Sequence, residues 1–225
     1  MLLIHTREKK ARGVLKMDKH FLKHWAQTFN IHLTNAQVEK FELYKETLVQ
    51  WNKKMNITRI TSTQDIVIKH FLDSLAVLPF INPFGHESIL DVGSGGGFPG
   101  IPMGIVNPET KITLLDSSRK RIHFLKYMSH ILGIKNIHVC HDRIETFNPD
   151  CSFDIIISRA FSKISSFATW SKKFLKISGR IVAMKGKNVF DELEQFDASG
   201  FHATIESYSL PEINQKRYLI ILAVQ

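Results

Sequence analysis

Residues Ile89-Leu90-Asp91-Val92-Gly93-Ser94-Gly95-Gly96-Gly97-Phe98-Pro99-Gly100 decide the fold, because an apolar run ends in a carboxylate and then meets closely spaced glycines. Glycine tolerates positive φ at little steric cost and lets a ligand approach the main chain. The stretch therefore predicts a strand that turns into a helix beside a nucleotide-like ligand. A second run, Ile112-Thr113-Leu114-Leu115-Asp116, ends in another carboxylate, where the tip of a neighbouring parallel strand would hold a ribose. Around these two, short β-rich runs near 89–93, 112–116, 137–141, 153–158, 180–185, 201–208 and 218–224 alternate with helical spacing. The alternation predicts an α/β chain with a doubly wound, mostly parallel sheet and helices on both faces. The last run follows a hairpin-like segment through Pro211 and Asn214 and is expected to be antiparallel.

Upstream of the glycines, from about Asp18 to Ile81, apolar residues recur at helical spacing, as in Val38, Phe41, Tyr44, Leu48 and Trp51. Thr34 and Thr63 are the expected N-caps. Three parts follow: residues 1–17, a basic arm with Arg7, Lys9, Lys10, Arg12 and Lys16 and little to bury; residues 18–84, a helical segment; and residues 85–225, the sheet domain. The arm is expected to be mobile.

The whole chain has 225 residues, 44% of them hydrophobic, and a formal charge of +9, which favours a polyanionic partner such as RNA or DNA. Cys140 and Cys151 form no CxxC pair and no disulfide framework, and no apolar run approaches bilayer length, so a cytoplasmic location is expected. His20 with His24, and His138 with His141, supply no closed ligand set, and no metal is expected.

Two cofactor classes use such a loop. Gly95 to Gly100 satisfies G-x-G-x-x-G, which keeps a nicotinamide- or flavin-dependent oxidoreductase open. Pro99, however, removes a backbone donor at the helix start, where a pyrophosphate needs one. Asp91 would repel a pyrophosphate and attract an ammonium or sulfonium group. S-adenosylmethionine carries both. A non-catalytic RNA-binding module is the remaining alternative.

The Asp-x-Gly-x-Gly-x-Gly run followed by Leu114-Leu115-Asp116 resembles class I S-adenosylmethionine-dependent methyltransferases. Further segments narrow the match: Trp51 to Thr58, His70-Phe71-Leu72-Asp73-Ser74, Phe98-Pro99-Gly100-Ile101-Pro102, Asp116 to Arg121, and Ser158-Arg159-Ala160-Phe161. As a set, from about Asn30 to the C-terminus, they resemble the RsmG (GidB) family of 16S ribosomal RNA methyltransferases. The resemblance implies a seven-stranded Rossmann-like sheet and methyl transfer to guanine N7 in the 530 loop, on 16S rRNA, the small subunit or an assembly intermediate. The enzyme is expected to act as a monomer.

The same resemblance implies the site. Gly93 and Gly95 would admit the amino-acid end of the cofactor, Asp91 would act on its ammonium directly or through water, and Asp116 would take the ribose hydroxyls beside Ser117 and Ser118. Ile144 and Glu145 would contact adenine, with Asp142 a competing acid whose other reading is a solvated helix-start carboxylate. Phe98 and Arg159 would lie at the cofactor, although Phe98 also reads as core and Arg159 as a salt-bridge partner. Arg159 and Phe161 are the candidates for positioning the base, by a donor fork and by stacking. Arg119, Lys120, Arg121, Lys126, Arg143, Lys163, Lys185 and Lys187 are candidate phosphate contacts. His70 and Asp73 could pack against the sheet domain or border the RNA.

What Ser158-Arg159-Ala160-Phe161 lacks is also informative. Amino-directed methyltransferases place an Asn/Asp-Pro-Pro-aromatic motif there, and base C5 methylation needs a nucleophilic cysteine that neither Cys140 nor Cys151 suits. Guanine N7 has an in-plane lone pair and no proton to lose. Alignment and desolvation suffice, and no general base is expected.

Overall fold

The computed structural model describes residues 17–82, 87–159, 161, 163–186, 189–214 and 216–225. Seven strands form one sheet in the order β3-β2-β1-β4-β5-β7-β6: β1 Ser88–Val92, β2 Lys111–Asp116, β3 Ile137–His141, β4 Phe153–Ser158, β5 Leu175–Lys185, β6 Phe201–Tyr208 and β7 Arg217–Val224. The first five pair in parallel, and β7 runs antiparallel to both β5 and β6, as its hairpin-like approach predicts. Strand β1 is buried on both faces, which its near-continuous apolar sequence requires at the centre of a parallel sheet.

On one face lie α6 (Gly100–Val106) and α7 (Arg119–Ile131) together with the N-terminal helices, α1 (Lys19–Thr28), α2 (Asn35–Met55), α3 (Thr63–Ile66), α4 (Asp73–Leu75) and α5 (Leu78–Ile81). Their apolar residues form one cluster with Ile89, Ile155, Ile157 and Val182 of the sheet, so the helical segment is a layer over the same core. The opposite face carries Leu90, Leu115, Ile156 and Ile181 under α8 (Ile164–Lys172) and the short α9 (Val189–Leu193). Among the described residues no helix is long and apolar enough to cross a membrane.

Local chemistry sets the helix ends. Thr34 caps α2 through a box with Gln37, whose amide also reaches the carbonyls of Ile105 and Val106 and ties α2 to the end of α6. The cap of α3 is Ser62, which accepts from the Asp65 N–H, and not Thr63; with three adjacent hydroxyl residues, Thr61 to Thr63, the register of the first turn decides. Between α3 and α4, Val67–Leu72 is π-helical, a geometry that recurs at functional sites.

Two boundaries differ from expectation. Met17 belongs to the core and not to the arm, being buried with its N–H directed at the Glu42 carboxylate, while the rest of the arm lies outside the described residues. Strand β5 begins at Leu175 and not near 180: Leu175 pairs with Phe153 before a register shift, and Gly179 with the exposed Ile177 hides this irregular start in the sequence. The expected 84/85 division also falls outside the described residues.

Phe124 of α7 is fully buried and meets Trp51 of α2 edge-on at 5.4 Å, joining the helical layer to the sheet domain. Phe124→Ala is expected to lower the unfolding free energy by about 3–5 kcal/mol, seen as a lower urea midpoint in a single transition by both fluorescence and circular dichroism.

Candidate active site

The site forms where strands of a doubly wound sheet end at their carboxyl edge. The carbonyl of Leu115, at the end of β2, accepts from the N–H groups of Gly93 (2.8 Å) and Ser94 (3.1 Å), which ties the glycine loop to the neighbouring strand. The Asp116 carboxylate completes the tie. One oxygen accepts from the Gly95 N–H at 2.9 Å, the other from the Ser118 N–H at 2.8 Å, and the Arg121 guanidinium lies 3.4 Å away. Asp116 thereby fixes Ser118, the residue from which α7 starts, whose own hydroxyl makes no cap bond.

A cleft of about 310 Å³ opens beside this tie, and Gly93, Asp116, Ser117, Ile144, Glu145 and Phe161 are among its walls. Gly93 has φ +71, and a Cβ built there meets nothing within 4 Å. Any side chain at that position would point into open space, so the glycine keeps the space clear for a ligand. Ile144 is a buried apolar wall and Glu145 is exposed. Asp142 also borders the cleft, with Oδ1 accepting from the Arg143 N–H and the Thr146 hydroxyl, which holds its carboxyl below the usual range.

Asp91 lies behind the loop, fully buried on the opposite sheet face, and is absent from the cleft wall. Its Oδ2 accepts from the Gly100 N–H at 2.9 Å, and Gly100 has to be glycine because a Cβ would come within 2.8 Å of that oxygen. The second oxygen, Oδ1, is buried with no hydrogen-bond partner among the described residues. Burial pushes the Asp91 carboxyl up to about 7, against the opposing pull of the Gly100 N–H and of Arg159.

Phe98 is a core residue in this arrangement, stacked between His70 at 4.2 Å and Tyr44 at 5.2 Å. The Tyr44 hydroxyl donates to the Gly96 carbonyl, so α2 reaches the glycine loop directly. Arg159 rests over Phe98, 4.9 Å from its centroid, and donates to the Lys69 carbonyl in the π-helical stretch. It also faces Asp73 at 3.8 Å, so the salt-bridge reading of Arg159 holds geometrically. Arg159 lines a second cleft, of about 270 Å³, with His70, Asp73, Lys185, Tyr208 and Arg217.

Sequence reading could not gather that second group, because Asp73 and Tyr208 come from opposite ends of the chain. The Tyr208 hydroxyl donates to Asp73 Oδ1 at 2.8 Å, and Arg217 Nε lies 3.6 Å from the same oxygen. Burial raises the Asp73 carboxyl while Arg159 and Arg217 pull it down. His70 is held to about 3 by burial and the nearby Arg159, and is neutral. The signal that was available is the His70-Phe71-Leu72-Asp73 run itself.

The basic candidates divide. Arg119, Lys120, Lys126, Arg143 and Lys163 are exposed, and Arg121 and Arg143 border the first cleft. Lys185 is a correction: its Nζ donates to the Phe161 carbonyl at 2.9 Å and pairs with Glu192 at 2.8 Å, so it braces the end of β5 and does not present a surface charge. Lys187 lies outside the described residues. Phe161 packs on Phe167 and Trp170 at the first cleft, on the far side of the β4 end from Arg159. Cys151 is exposed before β4, at the opposite edge of the sheet from the glycine loop.

Comparison with known proteins agrees with this architecture. A family model described as rRNA small subunit methyltransferase G (GidB) matches residues 37–221. A ribosomal RNA small subunit methyltransferase G from Pseudomonas syringae pv. tomato is 41% identical over 198 residues, covering 88% of this chain and 92% of the relative. One from Geobacter sp. strain M21 is 37% identical over 216 residues, covering 93% and 99%. Among solved structures, a SAM-dependent methyltransferase from Aquifex aeolicus superposes with a TM-score of 0.58 at 17% identity, covering 75% of this chain and 97% of its own. A precorrin-6y C5,15-methyltransferase from Geobacter metallireducens gives 0.56 at 13% identity, over 74% and 90%. At those identities the solved structures speak for the fold alone, the seven-stranded class I methyltransferase sheet.

The buried Asp91 carboxyl carries a prediction. Folding raises it from 3.8 to about 7, so between those values the native state keeps a proton that the unfolded chain has lost. Its contribution to stability is full below the lower value, declines as pH rises through the window, and changes no further above about 7. Asp91→Asn is expected to gain stability relative to the parent by up to about 1.4 kcal/mol per pH unit across that window, in urea titrations of the ligand-free protein.

Proposed function

The chain belongs to the GidB family, rRNA small subunit methyltransferase G, and from that premise we propose that it methylates N7 of a guanosine in the 530 loop of 16S rRNA. The cofactor is S-adenosylmethionine, which when bound supplies an electrophilic methyl group on a sulfonium sulfur. The observation that carries the reading is the cleft kept open by Gly93 beside the Asp116 tie, at the carboxyl edge of β1 and β2. The nicotinamide alternative has no support from the family, and the silent RNA-binding alternative leaves this cleft without a use.

The residues fit the cofactor. Asp116 keeps lone pairs for ribose hydroxyls after accepting from Gly95 and Ser118, with Ser117 at the same edge. Ile144 and Phe161 offer apolar walls for adenine, and Glu145 a polar rim. The partnerless Asp91 Oδ1 is a buried acceptor behind the loop, suited to an ammonium reached directly or through water. Its raised affinity for a proton means that a cation beside it would drive the proton off.

The chain's part in the chemistry is alignment and exclusion of water. The Ser158 hydroxyl donates to the Val92 carbonyl at 2.7 Å and ties the end of β4 to β1, and the sequence Ser158-Arg159-Ala160-Phe161 there is not an amine-binding motif. Guanine N7 needs neither a base to remove a proton nor a cysteine to activate carbon. Arg119, Lys120, Arg143 and Lys163 would hold RNA phosphates around the same edge, with salt-sensitive affinity and without reading sequence. The natural substrate is small-subunit rRNA, and we take the enzyme to act as a cytoplasmic monomer.

Incubation with methyl-labelled S-adenosylmethionine and small subunits lacking the modification is expected to yield labelled N7-methylguanosine on nucleoside analysis. Label in any other nucleoside, or none, would contradict the proposal. Asp116→Ala is expected to weaken S-adenosylhomocysteine binding by about 10- to 100-fold through loss of charge-assisted hydrogen bonds. Gly93→Ala separates ligand space from folding: the positive φ costs about 1 kcal/mol of stability, whereas the methyl group in the cleft lowers ligand affinity well beyond that.

A further inference from the structure

We infer that the second cleft, walled by His70, Asp73, Arg159, Tyr208 and Arg217, receives the target guanine, and that Asp73 is the specificity-determining residue that accepts from its N1–H and exocyclic amine. The inference rests on the N7-guanine reading above and names the subsite that reading requires.

Position is the first argument. The cleft, about 270 Å³, lies at the carboxyl edge of β4 and β5: Arg159 follows β4, Met184 and Lys185 end β5, and Tyr208 and Arg217 face each other across the β6–β7 pair. Its lining approaches that of the cofactor cleft at the end of β4. Arg159 lines the second cleft, Phe161 two residues later lines the first, and Lys185 of the second cleft donates to the Phe161 carbonyl. A base in the second cleft is thus next to a cofactor in the first.

Chemistry is the second. Enzymes that act on a base extrude it and read its Watson–Crick edge by hydrogen bonds, with flat side chains against its faces. His70, stacked on Phe98 with planes 12° apart, provides a flat neutral wall. Asp73 is buried, yet among the described residues the only hydrogen bond to its carboxyl group is the one from Tyr208 to Oδ1; Oδ2 has none, and both guanidinium groups stand beyond hydrogen-bond distance. Arg217 Nε is likewise buried without a hydrogen-bond partner. A carboxylate short of donors beside a guanidinium short of acceptors complements guanine, which offers N1–H and an amine next to the O6 acceptor. Adenine offers an acceptor at N1 and would meet the carboxylate with repulsion. With its Watson–Crick edge on Asp73 and Arg217, guanine turns N7 back toward the end of β4.

Asp73 also braces the π-helical stretch against the sheet, so the test has to separate contact from scaffolding. Small subunits are reconstituted with guanosine or inosine at the target; inosine keeps N7 and N1–H and lacks only the amine. The wild-type enzyme is expected to lose about 10- to 100-fold in kcat/KM on inosine. In Asp73→Asn the guanosine-to-inosine ratio is expected to fall to near one while S-adenosylhomocysteine affinity holds. Tyr208→Phe keeps the ring and removes only the proton donor to Oδ1. It is expected to reduce the ratio part of the way, and it decides alone if the asparagine variant fails to fold. A wild-type ratio near one, or variants that slow both substrates equally, would overturn the assignment while N7 methylation of guanosine subunits stands. Absence of N7 methylation by the wild type would remove the parent reading and this one with it.

Discussion

Two backbone N–H groups, of Gly95 and Ser118, converge on the carboxylate of Asp116, and the geometry of the site follows from that tie. A glycine loop with φ of +71, +60 and +93 at Gly93, Gly95 and Gly97 has few intrinsic restraints, so something outside it has to choose its shape. The end of β2 does so twice, through the Leu115 carbonyl and the Asp116 side chain. Because Asp116 also holds the N–H of Ser118, from which α7 starts, one carboxylate sets the loop, the strand edge and the approach to the helix together. The cleft is the space left between them.

Behind the loop, the N-terminal helices do more than cover apolar surface. Tyr44 donates to the Gly96 carbonyl, His70 stacks on Phe98, and Arg159 reaches from the end of β4 to the Lys69 carbonyl. Three ionisable side chains, the buried Asp91 and Asp73 and the half-buried Arg159, act on one another behind the loop. Burial raises both acids and lowers the arginine, and the Gly100 N–H, Arg217 and the Tyr208 hydroxyl join the mutual attraction of the three in offsetting that cost. Such an arrangement is poor economy for stability alone and makes sense where charge has to be presented to ligands at a fixed place.

Much of this was legible in the residues. Strand positions, the reversed last strand, the glycine turn and the acid on the neighbouring strand follow from short-range patterns, apolar alternation and backbone steric freedom, which a sequence displays directly. The start of β5 was not, because Gly179 and the exposed Ile177 look like a loop, and pairing with Phe153 imposes the strand from outside. The choice of Ser62 over Thr63 as cap depends on one residue of register. Lys185 read as a surface cation because its partner, Glu192, lies on a helix whose approach no local pattern reveals. The Asp73, Tyr208 and Arg217 cluster was hardest, since it exists only after the antiparallel hairpin returns beside the first helices.

A crystal structure with S-adenosylhomocysteine bound tests the central arrangement, two clefts meeting at the end of β4, most directly. The account predicts ribose hydroxyls on Asp116, adenine against Ile144, and the sulfur directed across the Arg159–Phe161 wall toward the cleft that holds Asp73. A ligand whose ribose avoids Asp116, or whose sulfur points away from that wall, would contradict it.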